Sequence, residues 1–242
     1  MPQPELRIAH VELQVPGTAM DALARFYGEE LGLPGEHRRH ALSVAVGGAE
    51  LVFTPAAGDA RPFYHFALLV PGDRFDAARS WIARHTQLLA GEDGAAVFDF
   101  ADWNAEACYF HDPAANIVEL IAHHGVGDRP QETGGFCATE LIGISELGIV
   151  VANPASAAEV LHRELGLALW SGAVDDTGGL GFVGRQAHTL ILTGAGRGWL
   201  PTGRPAERHP VAVTITGGWE QATEPVQLAA APNPILVRCA RG

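Results

Sequence analysis

From His10 the chain reads HVELQVPGTAMDALARFYGEELGL, and from His65 it reads HFALLVPGDRFDAARSWIARHTQLL; hydrophobic and polar positions fall in the same order in both. Each stretch opens with a strand-like run, turns at a Pro-Gly, and continues with apolar residues at helical spacing. These are Leu23, Phe26, Tyr27 and Leu31 in the first and Phe75, Ala78, Trp81 and Ile82 in the second. A third copy, ELGIVVANPASAAEVLHRELGLAL, starts at Glu146, with Leu165, Gly166 and Leu167 echoing Leu31, Gly32 and Leu33. A weaker fourth, PVAVTITGG, starts near Pro210. Further strands follow the helices: ALSVAVGG and AELVFTP, divided at Gly47 and Gly48, in the first unit, and AAVFDF, EACYF and NIVELIA, the last two joined by DPAA, in the second. The repeating unit is therefore β-α-β-β-β. One such unit cannot cover both faces of its sheet, so units must pair. The fold class predicted is α+β, with four tandem βαβββ modules in one chain paired into curved mixed sheets, helices outside and a groove inside.

Side chains alternate along a strand, so Val11, Leu13 and Val15 are expected under the helix, with His10, Glu12 and Gln14 facing the groove. The same count turns Glu50 and Val52, His65, Ala67 and Leu69, and Ile117, Glu119 and Ile121 inward. If units one and two pair, His10, Glu50, His65 and Glu119 converge, and two imidazoles with two carboxylates make a divalent-metal site. Singly, His10 and Glu50 read as ordinary residues of half-exposed strands. His65 and Glu119 carry more weight, because each interrupts a nearly continuous apolar run, FYHFALLV and NIVELIA, where an unpaired polar group is costly. Glu12, Glu50 and Glu119 together would crowd three carboxylates around the groove, a repulsion that a cation relieves. Trp103 and Asn104, just before a strand of unit two, are candidates with Glu12 for lining a substrate pocket, although Trp103 reads equally as core.

Units three and four keep little of this set. Glu146 takes the place of His10, but Thr189, Pro210 and Leu236 fall where Glu50, His65 and Glu119 would be. The expected division is thus an N-terminal domain at 1–127 with the metal site, a linker at 128–139 in the Gly- and Pro-rich GVGDRPQETGGFCAT, and a degenerate domain at 140–242 that packs or covers.

Composition narrows the function. With 28 acidic against 16 basic residues and a formal net charge of −12, the surface should repel phosphate backbones, which argues against nucleic-acid binding. The start, MPQPELRIAH, shows neither a basic region nor an apolar stretch, and no later run is long enough to span a bilayer; a cytoplasmic protein without a membrane partner is expected. Cys108, Cys137 and Cys239 fit no paired motif, and Cys108 reads as a small core residue. GAGRG at 194–198 lacks the ending of a phosphate loop and reads as a turn, and His123 and His124 at a strand end are expected in solvent.

HVELQV followed by RFYGEELGL, and YFHDPAANIVELIAHH closing the second unit, resemble the vicinal oxygen chelate superfamily, which includes glyoxalase I, extradiol dioxygenases and bleomycin resistance proteins. The resemblance is strongest over residues 5–124, and Ala115 stands where the pattern has glycine. It implies that His10 and Glu50 are the first- and last-strand ligands of unit one, and His65 and Glu119 those of unit two. They would hold Ni, Zn, Co, Mn or Fe. The implied chemistry is that of a glyoxalase-like lyase or isomerase acting on a small oxygen-chelating substrate, with Glu119 or Glu50 as the base and Glu119 preferred for its more apolar strand. Two alternatives remain open: an Fe(II) ring-cleaving dioxygenase using His10, His65 and Glu119, and a non-catalytic small-molecule binding protein. The expected partner is a small molecule, and the expected state a monomer or homodimer.

Overall fold

The alternating run of the first unit folds as β1 (Arg7–Val15), with Val11, Leu13 and Val15 fully buried and Glu12 exposed. The computed structural model in which this is seen describes residues 6–38, 40–129, 133–174, 178–217 and 224–240. The helix α1 (Met20–Ala24) follows and runs on through a π-type turn at Arg25–Glu30, burying Leu23, Phe26 and Tyr27 on one face. Then come β2 (Gly35–Arg38), β3 (Ala41–Val46) and β4 (Ala49–Pro55). The second unit is β5 (His65–Val70), α2 (Phe75–Ile82), β6 (Leu88–Leu89), β7 (Phe98–Phe100), β8 (Ala105–His111) and β9 (Ile117–His123). The apolar positions expected on α2 (Phe75, Ala78, Trp81 and Ile82) are its buried residues.

The third unit is β10 (Gly143–Val150), α3 (Pro154–Leu165), β11 (Leu169–Gly172), β12 (Gly181–Arg185) and β13 (His188–Thr193). Local chemistry sets both ends of α3. The Asn153 side chain accepts a hydrogen bond from the Ser156 backbone N–H, Pro154 takes the first turn, and Gly166 ends the helix at φ +67°. A ribbon that no repeat predicts, β14 (Gly198–Trp199) and β15 (Arg204–Pro205), precedes the fourth unit, β16 (Val211–Thr216), β17 (Val226–Ala229) and β18 (Ile235–Ala240). The mixed sheet and few helices make this the α+β architecture of repeated modules expected.

The phrase DPAAN shapes the turn between β8 and β9. Buried Asp112 accepts hydrogen bonds from the Ala114 and Asn116 backbone N–H groups, the Asn116 side chain and the Tyr27 hydroxyl. Ala115 does occupy the left-handed region, at φ +62°, a conformation that costs a residue with a Cβ about 1 kcal/mol. Asn116 Oδ1 accepts from the Tyr64 backbone N–H at 2.9 Å, which fixes β9 against the start of β5. The phrase thus locates His65 relative to Glu119.

The expected pairing of units is corrected by the strands. β1 runs antiparallel to β16 from Arg7↔Thr216 to Leu13↔Val211, and β5 runs antiparallel to β10 from Gly143↔Leu69 to Leu147↔Phe66. Unit one therefore shares a sheet face with unit four, and unit two with unit three. The two halves join edge to edge where Ile8 meets Ile144. The physical reason is a match of patterns. HFALLV and GISELGIV are mostly apolar and are buried at every position, whereas the first strand of unit one and VAVTIT alternate and leave one face partly open. Strands that need cover on both faces pair with one another.

The segment expected as a linker at 128–139, of which 130–132 lie outside the described residues, is tied down. Arg74 Nε donates to Glu140 at 3.0 Å with both residues buried, its Nη2 donates to the Gly134 carbonyl, and buried Phe136 packs on Trp81 at 5.3 Å.

Candidate metal centre

Strand register builds the centre. Ala67 in β5 lies opposite Glu119 in β9 on one side and Glu146 in β10 on the other, and Glu146 lies opposite Thr189 in β13. Glu119, Ala67, Glu146 and Thr189 thus form a row across four strands, and His65 stands two residues from Ala67 on the same face. Among the described residues, His65, Glu119 and Glu146 form the cluster of ligating groups whose atoms all lie within 4.8 Å of one another, and all three are buried. Tyr109, opposite Glu119 in β8, donates a hydrogen bond to its carboxylate.

The imidazole is oriented. His65 Nδ1 lies 3.1 Å from the Ile117 carbonyl oxygen, an acceptor, so the ring proton resides on Nδ1. Nε2 keeps its lone pair and points at Glu119 Oε2, 3.5 Å away. Burial holds this ring neutral, with its pKa lowered to about 4. Burial also drives Glu119 well above the usual carboxylate range, helped by the charge of Glu146, and pushes Glu146 up to about 8. Without a cation the carboxylates therefore hold protons near neutral pH.

A divalent ion fits these residues. Two carboxylates would neutralise it, Nε2 offers a lone pair with the second nitrogen already anchored, and the buried Thr189 Oγ1 beside Glu146 has no hydrogen-bond partner. An ion or its water would give that hydroxyl a partner.

The floor around the row is made of small residues, Ala67, Ala105, Ala107 and Gly148, and aromatic side chains roof it. Trp199 from the ribbon lies 5.0 Å from the His65 ring, and Trp103 packs on Phe182 at 4.5 Å and Trp170 at 5.1 Å. A pocket of about 10 Å³ lies beside His65, between Phe63, Val150, Trp199 and His209. A roomier cleft of about 550 Å³ lies between α1 and the β2–β3 hairpin, on the opposite side of unit one from His10.

The sequence matches no family profile and no curated protein. Among solved structures, a variant of glyoxalase I from Zea mays matches at a TM-score of 0.55 with 13% identity, covering 97% of this chain and 94% of that one. A second variant of the same enzyme matches at 0.53 with 15% identity, covering 87% and 75%. A protein from Bacillus subtilis subsp. subtilis str. 168, provisionally described as a dioxygenase, matches at 0.58 with 13% identity, covering 99% and 86%. The chain shares its fold with glyoxalase I.

Within that fold, the structure divides the four expected ligands. His65 and Glu119 come together, but their third member is Glu146, and His10 and Glu50 lie outside the cluster. The latter two face each other in β1 and β4, where His10 Nδ1 and Glu50 Oε2 are 3.0 Å apart and Ser43 Oγ donates to the other Glu50 oxygen. They are separated from the centre because unit one pairs with unit four. The expectation that Glu146 stands alone in a degenerate domain fails for the same reason: its neighbours come from unit two. The continuous apolar character of GISELGIV, interrupted by one carboxylate, was the signal that could have found it.

The pocket candidates scatter too. Glu12 is exposed on β1, and the Asn104 side chain donates to the His124 carbonyl beside the paired ends of β8 and β9. Trp103 does reach the groove, where its indole Nε1 donates to Ser171 Oγ at 3.0 Å. His123, expected in solvent, is fully buried between Trp103 and Trp170, with its pKa lowered to about 4 by burial.

Proposed function

We propose that this chain is a metal-dependent enzyme in which His65, Glu119 and Glu146, with Thr189 beside them, hold one divalent cation and act on a small substrate through two adjacent oxygens. The observation that supports this is the buried three-residue cluster with an oriented imidazole. The bound ion would supply Lewis acidity, drawing negative charge onto the substrate oxygens. The protein's own contribution is positional. The Ile117 carbonyl fixes the His65 ring, the Tyr109 hydroxyl fixes Glu119, and the aromatic roof excludes water. Glu119 is assigned the transfer of a proton from the carbon next to a carbonyl, giving glyoxalase-like isomerase or lyase chemistry on an α-hydroxy ketone or related compound. Glu50, outside the cluster, has no part in it.

The donor set separates this reading from ring cleavage. An Fe(II) oxygenase site uses two imidazoles and one carboxylate, whereas this cluster has one imidazole and two carboxylates. The test is elemental analysis and calorimetric titration with Mn, Co, Ni and Zn, followed by solvent-deuterium exchange into a panel of α-hydroxy ketones. Stoichiometric binding that is lost in Glu146→Gln, with exchange lost in Glu119→Gln, is the expected result. Failure of every ion to bind would leave a non-catalytic binding protein as the better account.

A further inference from the structure

The residue that closes the centre is not part of any repeat. Trp199 is 3% exposed, lies over His65, and fills space that exists because position 148 has no side chain. A Cβ on Gly148 would come within 2.8 Å of Trp199 Cη2 and 3.1 Å of the His65 carbonyl oxygen. The indole is thus seated in a slot bounded by Gly148, Val150, Phe63 and His65. His65, which lines that slot, belongs to the cluster of ligating groups.

The ribbon carrying the indole is fastened at one point directly across from it. Arg204 is the cross-strand partner of Trp199. Its guanidinium carbon sits 3.2 Å from the centre of the Phe63 ring, and its Nη1 donates to the Ala115 carbonyl at 3.0 Å. Glycines at φ +88° (Gly196) and φ +66° (Gly203) stand before the ribbon and at its turn, positions where the backbone can change direction without Cβ clashes. Where the ribbon closes, Gly196 N–H donates to the Ala206 carbonyl and Ala206 N–H donates to the Arg197 carbonyl.

Building on the metal-centre reading, we infer that the β14–β15 ribbon is a strap over the site, with the Trp199 indole occupying the seat that a flat ring of the ligand takes when the strap lifts. That 10 Å³ admits no organic substrate, so a ligand that approaches His65 from this side displaces the indole. What replaces it must match what leaves: a flat, mostly apolar ring of about indole size, with its two adjacent oxygens directed at the cluster. The Arg204 contacts with Phe63 and Ala115 set how readily the strap opens.

Two measurements test this, and one needs no metal. In Trp199→Gly, with folding checked by circular dichroism, added indole should raise the thermal midpoint, as apolar rings do in vacated apolar slots, and should leave the wild type unchanged. A folded variant that ignores indole overturns the seat. In Arg204→Ala, a milder change at a half-exposed residue, uptake of Co(II) followed by absorbance should be faster than in wild type by about tenfold. Equal uptake rates overturn the strap. If no variant nor the wild type takes up Co(II), the metal reading fails instead, and the indole experiment alone then decides the seat.

Discussion

Two rows of side chains cross this sheet, one in each half, and they have opposite characters. In the half made by units two and three, the row is Glu119, Ala67, Glu146 and Thr189; in the half made by units one and four, it is Glu50, His10, Thr214 and Arg238. The first is roofed by aromatics, and the second is open: side-chain exposure is 3% for Glu119 against 51% for Glu50. Carboxylates respond in opposite senses. Burial raises Glu119 and Glu146, whereas hydrogen bonds from Ser43 and His10 lower Glu50. A His-Glu pair in solvent satisfies itself, and only the covered row needs a cation.

The comparison can be broken most severely at the ligands. Glu146→Gln or His65→Ala should weaken divalent-metal binding by more than about 100-fold, measured by calorimetry, while Glu50→Gln and His10→Ala leave it unchanged. Metal loss on changing Glu50 would reinstate the four-ligand site expected from unit pairing. Next in size is Gly148→Ala, whose Cβ meets Trp199 and the His65 backbone; it should destabilise the fold by about 1–3 kcal/mol in chemical denaturation. Glu12→Ala, at an exposed position of β1 in the open half, should change stability by no more than about 0.5 kcal/mol.

The pH dependence sharpens the contrast further. Glu119 and Glu146 bind protons more tightly in the folded than in the unfolded chain, so in metal-free protein the folded state carries the extra protons and stability falls as pH rises. His65 and His123, lowered to about 4, act the other way, but only below the ordinary histidine range. Between about pH 6.5 and 8 the carboxylates alone remain, so the thermal midpoint should drop across that window in chelator. It should drop less in Glu146→Gln and stay level when metal is bound. The smallest effect belongs to Glu50, lowered by its partners: its stabilisation is lost only as pH falls through the acid range, and Glu50→Gln should remove just that acid limb.

Much of the fold was legible in sequence because it rests on local periodicity. Val11, Leu13 and Val15 under the helix, the buried face of α2, and Ile117, Glu119 and Ile121 turned to one side all follow from counting along one strand or helix. The likeness to the vicinal oxygen chelate fold rested on such local phrases, including DPAAN, whose hydrogen bonds close within a few residues. His65 and Glu119 were identified for the same reason: each breaks an apolar run, and the break is visible without knowing what lies opposite.

Which strand lies opposite was decided only by the folded chain. A repeated unit presents the same edge whichever partner it takes, so periodicity could not choose between pairing with unit one and pairing with unit three. The choice depended on burial of both sheet faces, a property summed over distant segments. That choice joined Glu146 to His65 and Glu119, left His10 and Glu50 in the open, and laid Trp199, remote from every repeat, over the centre.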